Sequence, residues 1–264
     1  DELGIRIGAI NPNLFEDLDY KYGSITNSDP KIRQKAVDHM LECIEIGKIF
    51  GSKILSVWLA DGTNYPGQGD FRNRKEWMEE CLSEVYDALP ENMRMLIEYK
   101  FFEPAFYHTD IFSFGIALDL ANKLGHKAQV LVDLGHHPRG TNIPHIVAYL
   151  LAEGKLGGFH LNDAKYADDD LTAGSIDPYQ LFLIFVELTD PRSDTSNLAY
   201  MIDQSHNIKN PTEAMLQTLD NLQNAYAKSL LVDREKLGSA QQNNAVIDAE
   251  EILVKAFRTG VMPI

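Results

Sequence analysis

Cysteine and long apolar runs are both scarce in this sequence. It has only two cysteines, Cys43 and Cys81, without the paired spacing of a disulfide framework, which favours a reducing, cytoplasmic setting. Its longest apolar run, Leu181–Val186, is far too short to cross a bilayer. No signal peptide is visible. We therefore expect a cytoplasmic protein that does not associate with membranes.

Basic residues are also in deficit. The chain has 24 Lys and Arg against 39 Asp and Glu, a formal net charge of −15. Such a charge disfavours binding to phosphate backbones, so we expect no nucleic-acid partner and no metal nuclease. Neutral or cationic ligands, divalent cations among them, remain compatible with it. With 264 residues, of which 44% are hydrophobic, the chain has enough apolar material for one large α/β domain.

Strand and helix patterns alternate along the chain. Six short apolar runs predict strands: Ile5–Ile10, Ile54–Leu59, Met93–Lys100, Val130–Asp133, Leu156–Asp163 and Leu198–Asp203. The segments between these strands predict helices at Pro30–Phe50, Asn73–Ala88, Phe112–Leu124, Ile143–Glu153 and Pro178–Leu188. The sequence from Pro211 onward is also helical in pattern. This order predicts a parallel sheet with right-handed crossovers.

Two architectures fit six βα units. Six units do not close an eight-stranded barrel, so either the sheet is open and doubly wound, or two units precede Asp1. A dinucleotide-binding sheet is disfavoured because Gly8–Pro12, after the first predicted strand, is not a glycine-rich phosphate turn. The chain also begins at Asp1 without Met and enters an element almost at once. We therefore expect residues before it.

Polar side chains recur at the carboxyl ends of four consecutive predicted strands: Glu98 and Lys100; Asp133 and His136; His160, Asn162 and Asp163; and Asp203 and Ser205. In a (β/α) barrel this rim carries the active site. Carboxylates crowded there would repel one another strongly without a cation. Taken alone, Asp133 could equally cap the next helix beside a surface His136. The four strand ends together favour a metal site.

The side-chain types narrow the choice of ion. Carboxylates and imidazoles without thiolates suit Mn²⁺, Mg²⁺ or Co²⁺ and also allow Zn²⁺. Glu98, Asp133, His160 and Asp203 would form one four-ligand set. His136, Asp168 and Asp170 suggest a second set, and Asp133 lies between the two sets and could bridge two ions. The run from Asp168 to Asp170 would by itself be read as a solvated acidic loop.

Lys100 follows Glu98 by two residues, so both side chains point to the same side of the strand. Among carboxylates it should stay protonated and could stabilise negative charge on a substrate oxygen. A salt bridge to a site carboxylate is the alternative, and both can hold.

Five motifs together resemble the xylose-isomerase-like barrels, and among these the broad-specificity L-rhamnose isomerases. They are Glu98-Tyr99-Lys100, Asp133-Leu134-Gly135-His136, His160-Leu161-Asn162-Asp163, Asp168-Asp169-Asp170 and Met201-Ile202-Asp203-Gln204-Ser205-His206. The resemblance implies a (β/α)₈ TIM barrel, two divalent ions with Mn²⁺ expected first, and homotetramers. The six βα units of this chain would then contain strands 3–8 of the barrel, and residues 1–210 would form an incomplete barrel. Residues 211–264 would be a helical segment packed on the barrel or in the oligomer interface.

The same resemblance implies the site roles. Glu98, Asp133, His160 and Asp203 would hold the first ion, and Asp133, His136, Asp168 and Asp170 the second. Lys100, Asp203 and Ser205 would be catalytic, with Lys100 near the sugar O1 and Ser205 near the catalytic water. Trp58, Glu98, Lys100 and His160 would contact the sugar. The two absent units would supply an aromatic residue and a histidine to the substrate pocket.

The expected function is a metal-dependent aldose–ketose isomerase, an intramolecular oxidoreductase of the L-rhamnose to L-rhamnulose type. Hydrogen would move between C1 and C2, as a hydride or through an enediol. Two alternatives stay open. One is a single-metal ketose 3-epimerase of the same superfamily, which would not need the second ligand set. The other is a non-catalytic metal- or sugar-binding fragment.

Overall fold

Strands and helices alternate through most of the chain in a computed structural model, which describes residues 3–103, 107–205 and 208–261. The strands are β1 Ile54–Val57, β2 Arg94–Glu98, β3 Ala128–Asp133, β4 Leu156–Leu161 and β5 Ala199–Ile202. The helices are α1 Pro30–Phe50, α2 Phe71–Ala88, α3 Phe114–Leu124, α4 Ile143–Ala152, α5 Pro178–Leu188, α6 Pro211–Ser229, α7 Arg234–Gln242 and α8 Val246–Arg258. A short 3₁₀ turn spans Leu18–Tyr20.

Helix starts follow from capping side chains. Asp29 accepts a hydrogen bond from the Lys31 amide at the start of α1, with proline at the first helical position. Asp70 accepts from the Arg72 and Asn73 amides, so α2 begins at Phe71, two residues before the predicted start. Gly51 ends α1 in the left-handed conformation that glycine tolerates best. Local polar chemistry therefore sets the element boundaries.

The strands form one sheet in the order β1-β2-β3-β4-β5. β1 pairs with β2 in parallel, Val57 opposite Ile97, and β2 pairs with β3 in parallel, Glu98 opposite Leu131. Helices connect the successive strands, as in a (β/α) barrel. The predicted α/β class is confirmed, and the architecture is consistent with part of a TIM barrel.

The first predicted strand is wrong. Of the described part of Ile5–Ile10, only Ile10 bonds to the sheet, through a bridge to Leu55. The Ile5 side chain is 75% exposed. An apolar run becomes a strand only where neighbouring strands and packing stabilise it. The exposure of the Ile5 side chain shows that little such packing is present there.

Contacts divide the chain into two units. The first comprises residues 1–138 and 155–158, and its core contains the fully buried strand residues Leu55, Ile97 and Val130. The second comprises residues 139–154 and 159–264. In it, Phe182 of α5 packs with Leu237 of α7 and Ala256 of α8. The C-terminal helices therefore share a core with α5, while the predicted boundary at residue 210 stays a prediction.

Gly157 of β4 provides a test of close packing in the first unit. A Cβ at this position would collide with Leu96 Cδ2 and lie 2.9 Å from Gln129 Cβ. We expect Gly157→Ala to lower the free energy of unfolding by about 1–3 kcal/mol through overpacking. The matched control is Gly238→Ala in α7, where the added methyl meets open space. It should raise stability by about 0.5–1 kcal/mol. Urea unfolding that gave both variants the same change would contradict this packing.

Candidate metal centre

Three ionisable side chains meet at the ends of β2 and β3. Glu98 is the last residue of β2 and Asp133 the last of β3, so the parallel pairing brings them to the same edge. His136 follows in the next turn. Its Nδ1 lies 3.2 Å from Glu98 Oε1, and its Nε2 lies 3.9 Å from Asp133 Oδ2. All three side chains are buried, and Asp133 is completely so.

A short turn after β3 puts the imidazole there. The Gly135 amide donates to Asp133 Oδ1 at 2.8 Å, and the His136 amide lies 3.4 Å from the Asp133 carbonyl. The Phe101 amide, just past β2, lies 3.4 Å from the His136 carbonyl. Asp133 therefore caps this turn and not the next helix, as the alternative had it, because α4 is capped by Asn142. The same turn also returns His136 to the strand end.

This cluster fits a divalent ion. Its three members can each offer one ligand atom, and these atoms lie within 4.8 Å of one another. An ion with ligand distances of about 2.0–2.3 Å can join atoms at that spacing after small shifts. Two adjacent buried carboxylates need positive charge nearby. The donor types and their burial thus suit a divalent ion, although Glu98 and His136 belong to different predicted ligand sets, which both stay predictions.

Tyr99 and His137 form a buried pair beside the cluster. Tyr99 Oη lies 2.7 Å from His137 Nε2, and His137 Nδ1 lies 3.3 Å from the Leu134 carbonyl. Burial lowers the pKa of His137 to about 4, so its ring is neutral near pH 7. Burial, with the charges of Asp133 and Glu98, holds the pKa of Tyr99 well above its ordinary value. Tyr99 therefore donates to Nε2, and Nδ1–H donates to Leu134.

Lys100 lies in a buried pocket of its own. Its Nζ is 2.9 Å from Glu103 Oε1 and 5.1 Å from the centroid of the Trp58 ring. Phe15 packs edge-on against Trp58, with ring centroids 4.7 Å apart. Lys100 thus forms a salt bridge with Glu103, which was not among the predicted site carboxylates. Sequence reasoning missed Glu103 because it lies in a loop. The one indication of this ion pair in the sequence was that Glu103 follows Lys100 by three residues.

Asp61, which follows Trp58 closely, is a structural residue. Its buried carboxylate accepts hydrogen bonds from the amide and hydroxyl of Ser24 and from the amide and hydroxyl of Thr26. Burial raises the pKa of Asp61, and these donors oppose that shift. Four donors on one carboxylate anchor the loop around residues 24–26. Asp61 thus supports the loop near Trp58.

The second unit holds the remaining described candidates. His160 Nδ1 lies 3.3 Å from Asp203 Oδ2, with His160 buried and the Asp203 side chain 54% exposed. The Ser205 amide donates to the Asp170 carbonyl at 2.9 Å, which ties the acidic loop to the end of β5. Asn162 Nδ2 lies 3.4 Å from Asp170 Oδ1. His206, thought peripheral, lies outside the described residues.

Two carboxylates, one before and one within the acidic loop at Asp168–Asp170, accept hydrogen bonds from nearby backbone amides. Asp163 Oδ2 accepts from the Ile176 and Asp177 amides at 2.8 and 3.0 Å. Asp169 accepts from the amides of Lys165 and neighbouring residues. Its neighbour Asp170 has a positive φ of 39°, which is uncommon for a residue with a side chain. The loop is thus an ordered turn, and the ligand roles of Asp168 and Asp170 stay predictions.

Comparison with known proteins decides the family. Residues 1–209 match the family described as Xylose isomerase-like TIM barrel. The chain belongs to this family. It is 47% identical over 270 residues to a probable sugar isomerase of Rhizobium meliloti, covering 99% of this chain and 63% of that protein. The chain therefore spans less than two thirds of that relative's length. No helix among the described residues is long and apolar enough to span a membrane.

Two further comparisons agree with this fold. The xylose isomerase of Thermus thermophilus is 30% identical over 188 residues, covering 66% of this chain and 47% of that protein. The crystal structure of the 3-keto-D-glucoside 4-epimerase of E. coli superposes with a TM-score of 0.64, covering 84% of this chain and 80% of the other. Identity there is 15%, so this likeness shows the fold alone.

Metal binding by the cluster can be tested through thermal stability. We expect Mn²⁺ to raise the melting temperature, because a ligand whose free concentration is 100 times its Kd stabilises the folded state by about 2.7 kcal/mol. Asp133→Asn should abolish most of this increase, since Asp133 belongs to both predicted ligand sets. Asp119→Asn, which alters a surface carboxylate on α3 paired with Lys123, should leave it unchanged. Equal Mn²⁺ affinity in Asp133→Asn and the unmodified protein would contradict the assignment.

The neutral state of His137 predicts a pH effect. Because its pKa falls from 6.5 to about 4 on folding, His137 stabilises the protein fully above pH 6.5. This contribution is lost as the pH drops toward 4, by up to about 1.4 kcal/mol per pH unit. His137→Gln retains a donor and an acceptor but does not titrate. We expect urea unfolding with a chelator present to show that the unmodified protein loses stability relative to His137→Gln below pH 6.5. Parallel stability profiles would show that the prediction is wrong.

Proposed function

We propose that this protein is a metal-dependent aldose–ketose isomerase that moves hydrogen between C1 and C2 of an open-chain sugar. L-Rhamnose and L-rhamnulose are the first pair to test. One observation carries the proposal. The buried Glu98–Asp133–His136 cluster lies at the ends of β2 and β3, and the buried Lys100 follows two residues after Glu98, just past β2. An ion-binding cluster and an ammonium together suit the charge that develops on a sugar oxygen.

The proposal includes two ions, with Mn²⁺ expected first and Co²⁺, Mg²⁺ or Zn²⁺ as alternatives. The first would be held by Glu98, Asp133, His160 and Asp203, and the second by Asp133, His136, Asp168 and Asp170. When bound, such ions polarise a carbonyl oxygen and acidify a coordinated water. Support comes from the oxygen and imidazole donors, from the clustering of Glu98 with Asp133 and His136, and from the contact of His160 with Asp203.

The chain's own residues supply the remaining chemistry. Lys100 donates to the sugar O1 and stabilises the charge that accumulates there, more strongly because its surroundings are buried. Trp58 offers an indole surface against which sugar C–H groups pack. Glu98 and His160 orient the sugar hydroxyls. Asp203 and Ser205 lie exposed at the end of β5, where they can accept and return the proton that moves between O1 and O2.

The relatives support this class of reaction. One that is 47% identical is named a probable sugar isomerase, and another that is 30% identical is named a xylose isomerase. Because the chain spans only part of each, the substrate, a homotetrameric assembly and a cytoplasmic location are proposals for the whole protein.

A ketose 3-epimerase is the second candidate. It is favoured by the described cluster of the first unit, whose three side chains suffice for a single ion. The 4-epimerase with the same fold shows that epimerisation also occurs on such a scaffold. The product distinguishes the two: an isomerase changes an aldose to a ketose, whereas a 3-epimerase inverts one carbon of a ketose.

Incubation of the full-length protein with Mn²⁺ and sugars in D₂O tests both candidates. We expect NMR to show conversion of L-rhamnose to L-rhamnulose, with little deuterium at C1 or C2 because hydrogen moves directly. Lys100→Met should lower kcat by roughly 100-fold or more while Mn²⁺ still binds. Formation of C3 epimers alone would favour the epimerase. Substantial deuterium at C1 or C2 would show that hydrogen moves through an enediol and not by direct transfer.

A further inference from the structure

We propose that Glu103 is a positioning residue for the proposed reaction, because it holds the Lys100 ammonium against the face of Trp58. The inference rests on the proposed function, since it assigns Lys100 its place beside the sugar O1. None of the predicted site roles includes Glu103, which lies outside the strand ends.

The ion pair is shielded from water. Lys100 is 5% exposed and Glu103 is 8% exposed, and Nζ lies 2.9 Å from Oε1. Exposed ion pairs contribute little, because water and salt screen them. A buried pair differs, since removing one partner takes away charge compensation that bulk water does not replace. The position of the Lys100 ammonium therefore depends on the Glu103 carboxylate.

The backbone fixes both members of the pair. The Lys100 amide donates to the Ile111 carbonyl at 3.0 Å, and the Thr109 hydroxyl donates to the Lys100 carbonyl. The Glu103 amide donates to the Tyr107 carbonyl at 3.0 Å. These bonds tie the backbone of Lys100 and Glu103 to residues 107–111. They hold the backbone from which both charged side chains extend.

Trp58 restrains the ammonium from a second side. Its ring centroid is 5.1 Å from Lys100 Nζ, within the range of a cation–π contact. The edge-on packing of Phe15 fixes the plane of the indole. Two contacts from different elements therefore hold the Lys100 ammonium in a defined position.

Kinetics of Glu103→Gln separate positioning from a purely structural role. We expect kcat to fall by about tenfold or more, since small misplacement of a charge-stabilising group is costly. KM and Mn²⁺ content should change little. Glu103→Asp, which keeps the charge but shortens the side chain, should recover part of the lost kcat. The matched control is Glu79→Gln on α2, whose carboxylate pairs with Lys75 and Lys123 and should leave kcat unchanged.

A second measurement is independent of turnover. Acetylation of Lys100 by a water-soluble reagent, followed by mass spectrometry, reports how firmly the amine is held. We expect faster labelling in Glu103→Gln than in the unmodified protein, with no such change in Glu79→Gln.

The outcomes separate this inference from the proposed function. If the unmodified protein is active and Glu103→Gln keeps kcat within about twofold, the role of Glu103 is wrong and the isomerase stands. Loss of Mn²⁺ from Glu103→Gln would also overturn the inference, because the defect would then arise at the metal centre. If the unmodified protein converts no sugar, the proposed function fails. Labelling of Lys100 then decides alone: an unchanged rate overturns the positioning role and a faster rate supports it.

Discussion

The burial of two neighbouring carboxylates is the constraint on which the candidate site depends. Parallel pairing of β2 with β3 places Glu98 and Asp133 at one edge, out of reach of bulk water. Like charges at this spacing are unfavourable unless positive charge lies between them. The turn through Gly135 returns His136 to that position. Strand pairing, turn geometry and the affinity for a cation are therefore parts of one electrostatic arrangement.

Strands and loops contribute differently to this arrangement. β2 and β3 bring reactive side chains to the edge, whereas the chain that follows each strand supplies the partners that fix them. Glu103 holds Lys100 from the loop after β2. His137, after β3, accepts from Tyr99 and so joins the ends of the two strands. The scaffold sets where the charges lie, and the loops set how accurately they are held.

Much of this could be predicted from the sequence. The periodicity of the helices and the apolar runs at β1 to β5 were sufficient to predict the α/β order. The polar residues at the strand ends pointed to Glu98 and Asp133 as candidate ligands. Two failures have physical causes. The run at Ile5 has the composition of a strand, but pairing depends on neighbours that composition does not reveal. Glu103 and Asp61 are carboxylates in polar loops, and only three-dimensional contacts distinguish them from solvated acids.

The alternation along β2 has a consequence for folding. Glu98, the last residue of β2, points to the cluster with Asp133 and His136, while the next residue, Tyr99, alternates to the other face and contacts His137. A slip of one residue in the pairing of β2 would exchange these faces. The Tyr99 phenol would then take the place of the Glu98 carboxylate, which would leave the cluster. If this edge binds a divalent ion, as proposed, an ion present during refolding would favour the native register, which brings both carboxylates to it.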